Sequence, residues 1–161
     1  MRRCASSPDI LPQWFDVWNV QNFAEQEELQ AVGLKEVVPV IDDITSEAVQ
    51  LDGRWDRIIL AGTSMGAATG VHTLLNLNIS PAQGDDDGVI RNTPILLEHC
   101  VDDPLVLVQK GRELKNVLDG YGADVIMKEY SRGWHWFHSP TRMDDAIHFL
   151  NMYVLGEIDD W

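Results

Sequence analysis

Arg57-Ile58-Ile59-Leu60-Ala61-Gly62-Thr63-Ser64-Met65-Gly66-Ala67-Ala68 is the stretch whose reading decides the fold of this chain. After Arg57, its opening residues are β-branched and aliphatic, the pattern of a short strand buried on both faces. Behind it, Ala67, Ala68, Val71, Leu74 and Leu75 recur at helical spacing. Strand, G-x-S-x-G and helix in that order predict a nucleophile elbow, a turn tight enough to strain Ser64 and expose its hydroxyl. Gly62 and Gly66 are expected because strand and helix backbones pass too close for side chains there. The helix start favours developing negative charge, and the backbone N–H of Met65 is expected to point at it as an oxyanion donor. An ordinary serine turn is the competing reading of the five residues alone, and the flanking elements argue against it.

At 161 residues, with 45% hydrophobic and 24% charged residues, the chain is expected to form one globular domain over 1–161, with 1–13 irregular. A formal charge of −14 argues against nucleic acid or an anionic membrane as partner. Cys4 and Cys100 have no metal-type spacing, so neither a disulfide scaffold nor a metal centre is expected. The first residues carry Arg2 and Arg3 with no apolar run behind them, and no 18-residue apolar span follows. A soluble, cytoplasmic protein without a transmembrane segment is the expectation.

Apolar Leu29, Val32, Val37, Val40, Ile41 and Ile44 predict helix between about 23 and 50, divided by Pro39 and closed by Asp52-Gly53. The acidic run Asp85-Asp86-Asp87 lacks the alternating spacing of a calcium loop and reads as a solvated turn. Further strands are expected at 94–99 and 124–130, the second nearer an edge, with helices at about 107–121 and 141–155. Alternation of this kind predicts an α/β fold: a mostly parallel sheet of about three to four strands, helices on both faces.

In such sheets functional groups gather beyond the C-terminal ends of the strands. Three predicted ends carry Ser64, then Asp102 and Asp103, then His135 and His138. A serine hydroxyl needs an imidazole to take its proton, and the imidazole needs a carboxylate to fix its tautomer. Asp103 is favoured over Asp102 because Pro104 restricts it to an extended conformation. A solvated carboxylate or a helix cap is the bland alternative for either. Between the histidines the residues alone do not choose, since His138 could simply open the last helix. The aromatics Trp14, Phe15, Trp134, Trp136 and Phe137 could line an acyl groove, although such residues are more often core.

Four blocks together resemble the acyl-protein thioesterase and carboxylesterase branch of the α/β hydrolases, especially its fungal members. They are Gln13-Trp14-Phe15-Asp16-Val17-Trp18, Ile58 through Ala68, His99-Cys100-Val101-Asp102-Asp103-Pro104-Leu105-Val106, and Tyr130 through Trp136. The resemblance implies Ser64 as nucleophile, Asp103 as triad acid and His135 as base. It also implies no cofactor and hydrolysis of thioesters or oxyesters of acyl chains, and of the aromatics Trp14, Phe15 and Trp136 are the ones expected at the substrate. The acyl carrier would be an S-acylated protein or a lysophospholipid.

Members of this family normally carry further strands and a His-Gly loop, the source of a second oxyanion donor, ahead of the Trp-Phe-Asp block. Only thirteen residues precede Trp14 here, so a shortened member is expected, with a bared sheet edge open to self-association. The competing expectation is a remnant that keeps the motif residues but acts as a binding module. Met65 stands where these thioesterases usually carry Gln, a tolerable change because the contribution is a backbone N–H.

Overall fold

The computed structural model describes residues 2–3, 10–11, 13–17, 19, 25–37, 50–53, 57–76, 88–136 and 140–156. Pro39, Val40, Ile41, Ile44, the acidic run 85–87 and His138 lie outside them. The chain divides into two compact units, 1–77 and 78–161.

In the first unit, β1 (Arg2–Arg3) pairs antiparallel with β2 (Ile10–Leu11), Arg2 opposite Leu11. Helix α1 (Glu27–Val37) follows, and Asp52-Gly53 forms the expected turn, both with positive φ. The face that α1 buries is not the one its apolar spacing suggests. Leu29 and Val32 are exposed, whereas Gly33 is buried under Phe15, where an added Cβ would lie 2.6 Å from Phe15 Cβ. Contact that close is available only to a residue without a side chain. Helix α2 (Met65–Asn76) is the predicted elbow helix. Its most buried positions are Thr69 and Thr73 rather than its leucines. Each threonine hydroxyl donates to the carbonyl one turn back, Thr69 to Met65 at 2.9 Å and Thr73 to Thr69 at 2.7 Å. A buried hydroxyl satisfied by its own helix escapes the cost of an unmade hydrogen bond.

The expected strand ahead of the elbow is corrected. Residues 58–63 join no sheet among the described residues, and Ile59 and Leu60 are exposed. An apolar β-branched run supplies strand propensity, but a strand also needs a ladder neighbour, and none is described beside it.

The second unit carries the parallel sheet. A short helix α3 (Gly88–Arg91) precedes β3 (Ile95–Cys100), helix α4 (Val108–Gly120) crosses over, and β4 (Val125–Tyr130) returns parallel. The register runs from Ile95 opposite Val125 to Cys100 opposite Tyr130. Parallel pairing of neighbouring strands requires such a crossover, as the strand–helix–strand pattern predicted. The described parallel sheet has these two strands, fewer than the three to four expected, and β3 is half-buried except at Cys100. Helix α4 ends where Gly122, at φ +82°, turns the chain: Ala123 N–H donates to Leu118 O and Gly122 N–H to Asp119 O. This left-handed stop closes the last carbonyls, so the glycine is required by conformation. Helix α5 (Thr141–Leu150) continues into a widened π turn, Asn151–Leu155. The core of this unit is centred on Leu118, Cys100 and Val125.

Candidate active-site residues

Within the first unit the turn at Ser64 is strained as predicted, with one of the two close approaches its glycine spacing predicts. Ser64 sits at φ +52°, a left-handed conformation that costs a non-glycine residue roughly 1–3 kcal/mol. The turn is locked by Gly66 N–H donating to Thr63 O at 2.9 Å, and by Ala67 and Ala68 N–H donating to Ser64 O at 3.0 and 3.2 Å. A Cβ on Gly62 would meet the Gly66 carbonyl carbon and oxygen at 2.5 Å, so the close approach is real there. At Gly66 it is not, which corrects half of the expectation. A Cβ on that residue would meet only Trp14 Nε1, at 3.9 Å. Trp14, exposed, thus stands at the start of α2, while Phe15 is buried in the core. No acidic side chain occupies the first turn of α2, so its positive end is not neutralised from within the helix. The Met65 N–H has no acceptor among the described residues, in contrast to the three N–H groups after it.

Within the second unit the sheet brings a carboxylate and an imidazole together from the C-terminal ends of its two strands. Asp103, three residues past β3, is 6% exposed. Its Oδ1 accepts from Leu105 N–H at 2.8 Å and Val106 N–H at 2.9 Å, and its Oδ2 lies 2.7 Å from His135 Nδ1. Burial alone would raise this carboxyl, but the His135 hydrogen bond and the two backbone N–H groups outweigh it and hold Asp103 below the usual carboxylate range. An ionised carboxylate only accepts, so Nδ1 of His135 carries the proton shared with Asp103. That is the ring nitrogen a general base needs protonated.

Asp102, the alternative acid, does something else. Its Oδ1 accepts the Trp134 N–H at 2.8 Å, beside the imidazole rather than on it. Trp134 has φ +56°, so this carboxylate restrains a strained residue next to His135. Three further participants carry no local sequence signal. His99 Nε2 donates to Val106 O at 2.7 Å and lies 3.6 Å from Asp103 Oδ2, bracing the aspartate loop. Gly111 of α4 makes room for it, since a Cβ there would meet His99 Nδ1 at 2.7 Å. The Cys100 thiol, its pKa raised by burial, donates to Arg132 O at 3.2 Å. Arg142, 6% exposed on α5, donates to Trp136 O at 2.7 Å and to Cys100 Sγ. Trp136 itself is 74% exposed.

Beneath this loop lies a second polar group. The Tyr130 hydroxyl is 2.8 Å from Glu98 Oε1 and 2.7 Å from Asp145 Oδ2, and Lys128 Nζ is 3.0 Å from Asp145 Oδ1. One hydroxyl proton cannot serve two carboxylates. Burial pushes Glu98 up, whereas the Tyr130 and Lys128 hydrogen bonds hold Asp145 down, so Glu98 is the carboxyl that takes a proton first. No group of three or more metal-ligating side chains occurs among the described residues, and no described helix is long and apolar enough to cross a membrane.

No family model matches the chain. It is 27% identical to acyl-protein thioesterase 1 of Kluyveromyces lactis, over 94% of this chain and 73% of that one. With acyl-protein thioesterase 1 of Gibberella zeae it shares 23% identity, over 87% of this chain and 67% of the relative. Among solved structures it is similar to Arabidopsis thaliana SOBER1, with a TM-score of 0.63 at 20% identity over 88% of this chain and 73% of that one. A single-residue variant of SOBER1 gives a TM-score of 0.68 at 19% identity, covering 88% and 73%. Sequence similarity and fold agree: the chain is a hydrolase of the α/β fold, similar in sequence to the acyl-protein thioesterases.

Proposed function

We propose that the chain is a serine hydrolase cleaving thioesters or oxyesters of acyl chains, with Ser64 as nucleophile, His135 as general base and Asp103 as its orienting carboxylate. The observation that carries this reading is the 2.7 Å contact between His135 Nδ1 and an ionised, buried Asp103. In the reaction, Ser64 Oγ attacks the acyl carbonyl while His135 Nε2 takes its proton. The Met65 N–H stabilises the oxyanion, a contribution worth about 2.7–4 kcal/mol for one donor. The tetrahedral intermediate collapses, and the departing thiol or alcohol takes the proton from His135. Water then attacks the acyl-serine by the same route, giving the carboxylic acid and restoring Ser64.

Trp14 and Trp136 are exposed and suited to contact an apolar acyl chain, whereas Phe15 is buried against Gly33 of α1. The names of the relatives favour an S-acylated protein as substrate; a lysophospholipid would be its oxyester counterpart. The test is labelling by a fluorophosphonate probe together with hydrolysis of a short-chain p-nitrophenyl ester. Both are expected for the wild-type chain, and Ser64→Ala is expected to abolish labelling and lower turnover by about 10⁶-fold. A folded protein that neither labels nor hydrolyses the ester is a binding module, and the reading fails.

A further inference from the structure

We propose that Arg142 is the positioning residue for the loop that carries His135, a role that rests on the reading of His135 as the general base. The loop from Arg132 to Trp136 belongs to no helix or strand and contains two residues of positive φ, Gly133 at 145° and Trp134 at 56°. A tryptophan held in that region needs restraint from outside the loop. The restraints flank His135 on both sides. Cys100 takes the loop at Arg132 O, Asp102 at Trp134 N–H, Asp103 at the imidazole and Arg142 at Trp136 O.

Arg142 joins two of these anchors. One guanidinium nitrogen donates to Trp136 O, one residue past His135, and another donates to Cys100 Sγ, whose proton goes to Arg132 O three residues before it. Burying a guanidinium to 6% exposure is costly, and packing alone does not repay it. Its Nε has no hydrogen-bond partner, and its charge is met at longer range by the Glu98 carboxylate. The face of Tyr130, 4.7 Å away, supplies part of the compensation. An apolar side chain of similar length would fill the space at lower cost. What it could not do is hold two acceptors on opposite sides of the base, and a lysine, donating from a single point, reaches one of them.

The test compares wild type with Arg142→Met and Arg142→Lys in the full chain, using p-nitrophenyl ester kinetics and NMR of the His135 Nδ1 proton. That resonance is identified by its loss in His135→Gln. Arg142→Met is expected to lower kcat by about 100-fold with KM little changed, the effect of an ångström-scale misplacement of a catalytic group. Its Nδ1 proton is expected to exchange with water faster while the circular dichroism melt remains cooperative. Arg142→Lys is expected to recover about half of that loss on a logarithmic scale. Wild-type kcat and exchange in folded Arg142→Met would overturn the proposal; if that variant does not fold, the same result in Arg142→Lys would. Should the wild-type chain itself be inactive, the hydrolase reading fails, while the exchange comparison still decides whether Arg142 holds the loop.

Discussion

The elbow at 62–68 and the loop at 132–136 both place a positive-φ residue beside the proposed chemistry, Ser64 at +52° and Trp134 at +56°. They are held in opposite ways. The elbow is stabilised by its own chain: three backbone hydrogen bonds reaching back three or four residues, and a glycine whose missing side chain lets two backbone segments meet. The loop is held by side chains from elsewhere in the fold, with Asp102, Asp103 and Cys100 each bonding to a residue 32 positions away. A nucleophile that must stand exposed can rely on strained backbone. An imidazole that must keep one tautomer needs a partner carboxylate, and the sheet brings that partner from another strand end.

That contrast can be broken most severely at Asp103. Asp103→Asn leaves the elbow untouched but removes the acceptor that fixes the His135 tautomer, so kcat for ester hydrolysis is expected to fall by about 10⁴-fold. The same variant changes acid stability. Because the folded-state pKa of Asp103 is depressed, its stabilisation is present above the unfolded carboxylate value and is lost as pH falls through the folded one. Urea unfolding of Asp103→Asn is therefore expected to show a weaker loss of stability toward low pH than wild type.

The elbow side of the comparison is sharpened by its two glycines. Gly62→Ala drives a Cβ to 2.5 Å from the Gly66 carbonyl and is expected to cost about 1–3 kcal/mol in urea unfolding. Gly66→Ala meets nothing nearer than 3.9 Å and adds a better helix former, so it is expected to be neutral or to gain up to about 1 kcal/mol. Equal losses in the two variants would mean that the elbow is not built on the Gly62 approach.

A smaller effect is expected at Asp102, whose removal leaves the Trp134 N–H to solvent. Asp102→Ala is expected to cost about 0.5–1 kcal/mol, with a fall in kcat far short of that of Asp103→Asn. If the two variants lose activity equally, the roles of the aspartates are shared rather than divided. The smallest effect concerns Glu98, beneath the loop and surrounded by Tyr130, Asp145, Lys128 and Arg142. Its raised pKa means that its stabilisation is complete below the unfolded carboxylate value and lost as pH rises through the folded one. Glu98→Gln, neutral throughout, is expected to flatten that part of the stability profile measured by urea titration.

Much of this was legible residue by residue. G-x-S-x-G with a helix behind it predicted the strained serine, because a tight turn leaves its mark in the identities of a few adjacent residues. Pro104 favoured Asp103 over Asp102, and Asp103 is the carboxylate on His135. The helix of 107–121 and both strands of the parallel pair also stand close to where periodicity predicted them. Other features were not legible. The run Ile58-Ile59-Leu60 has strand propensity but no described ladder neighbour, and propensity does not say whether a neighbour exists. Leu29 and Val32 suggested the wrong face of α1, because a glycine packed on Phe15 leaves no trace in apolar spacing.

The sequence alone determined the tight turn at Ser64 and the strand–helix–strand order of residues 95–130, and it favoured Asp103 over Asp102. Each depends on dihedral and steric constraints acting within a few residues, and these are encoded where they act. Only the tertiary structure decided that Asp102 restrains Trp134, that His99 braces the Asp103 loop, and that Arg142 reaches the Cys100 thiol across 42 residues of chain. Hydrogen bonds between distant side chains form only after packing has brought their elements together. A buried arginine in the first turn of an amphipathic helix therefore shows its purpose in the fold and not in the string.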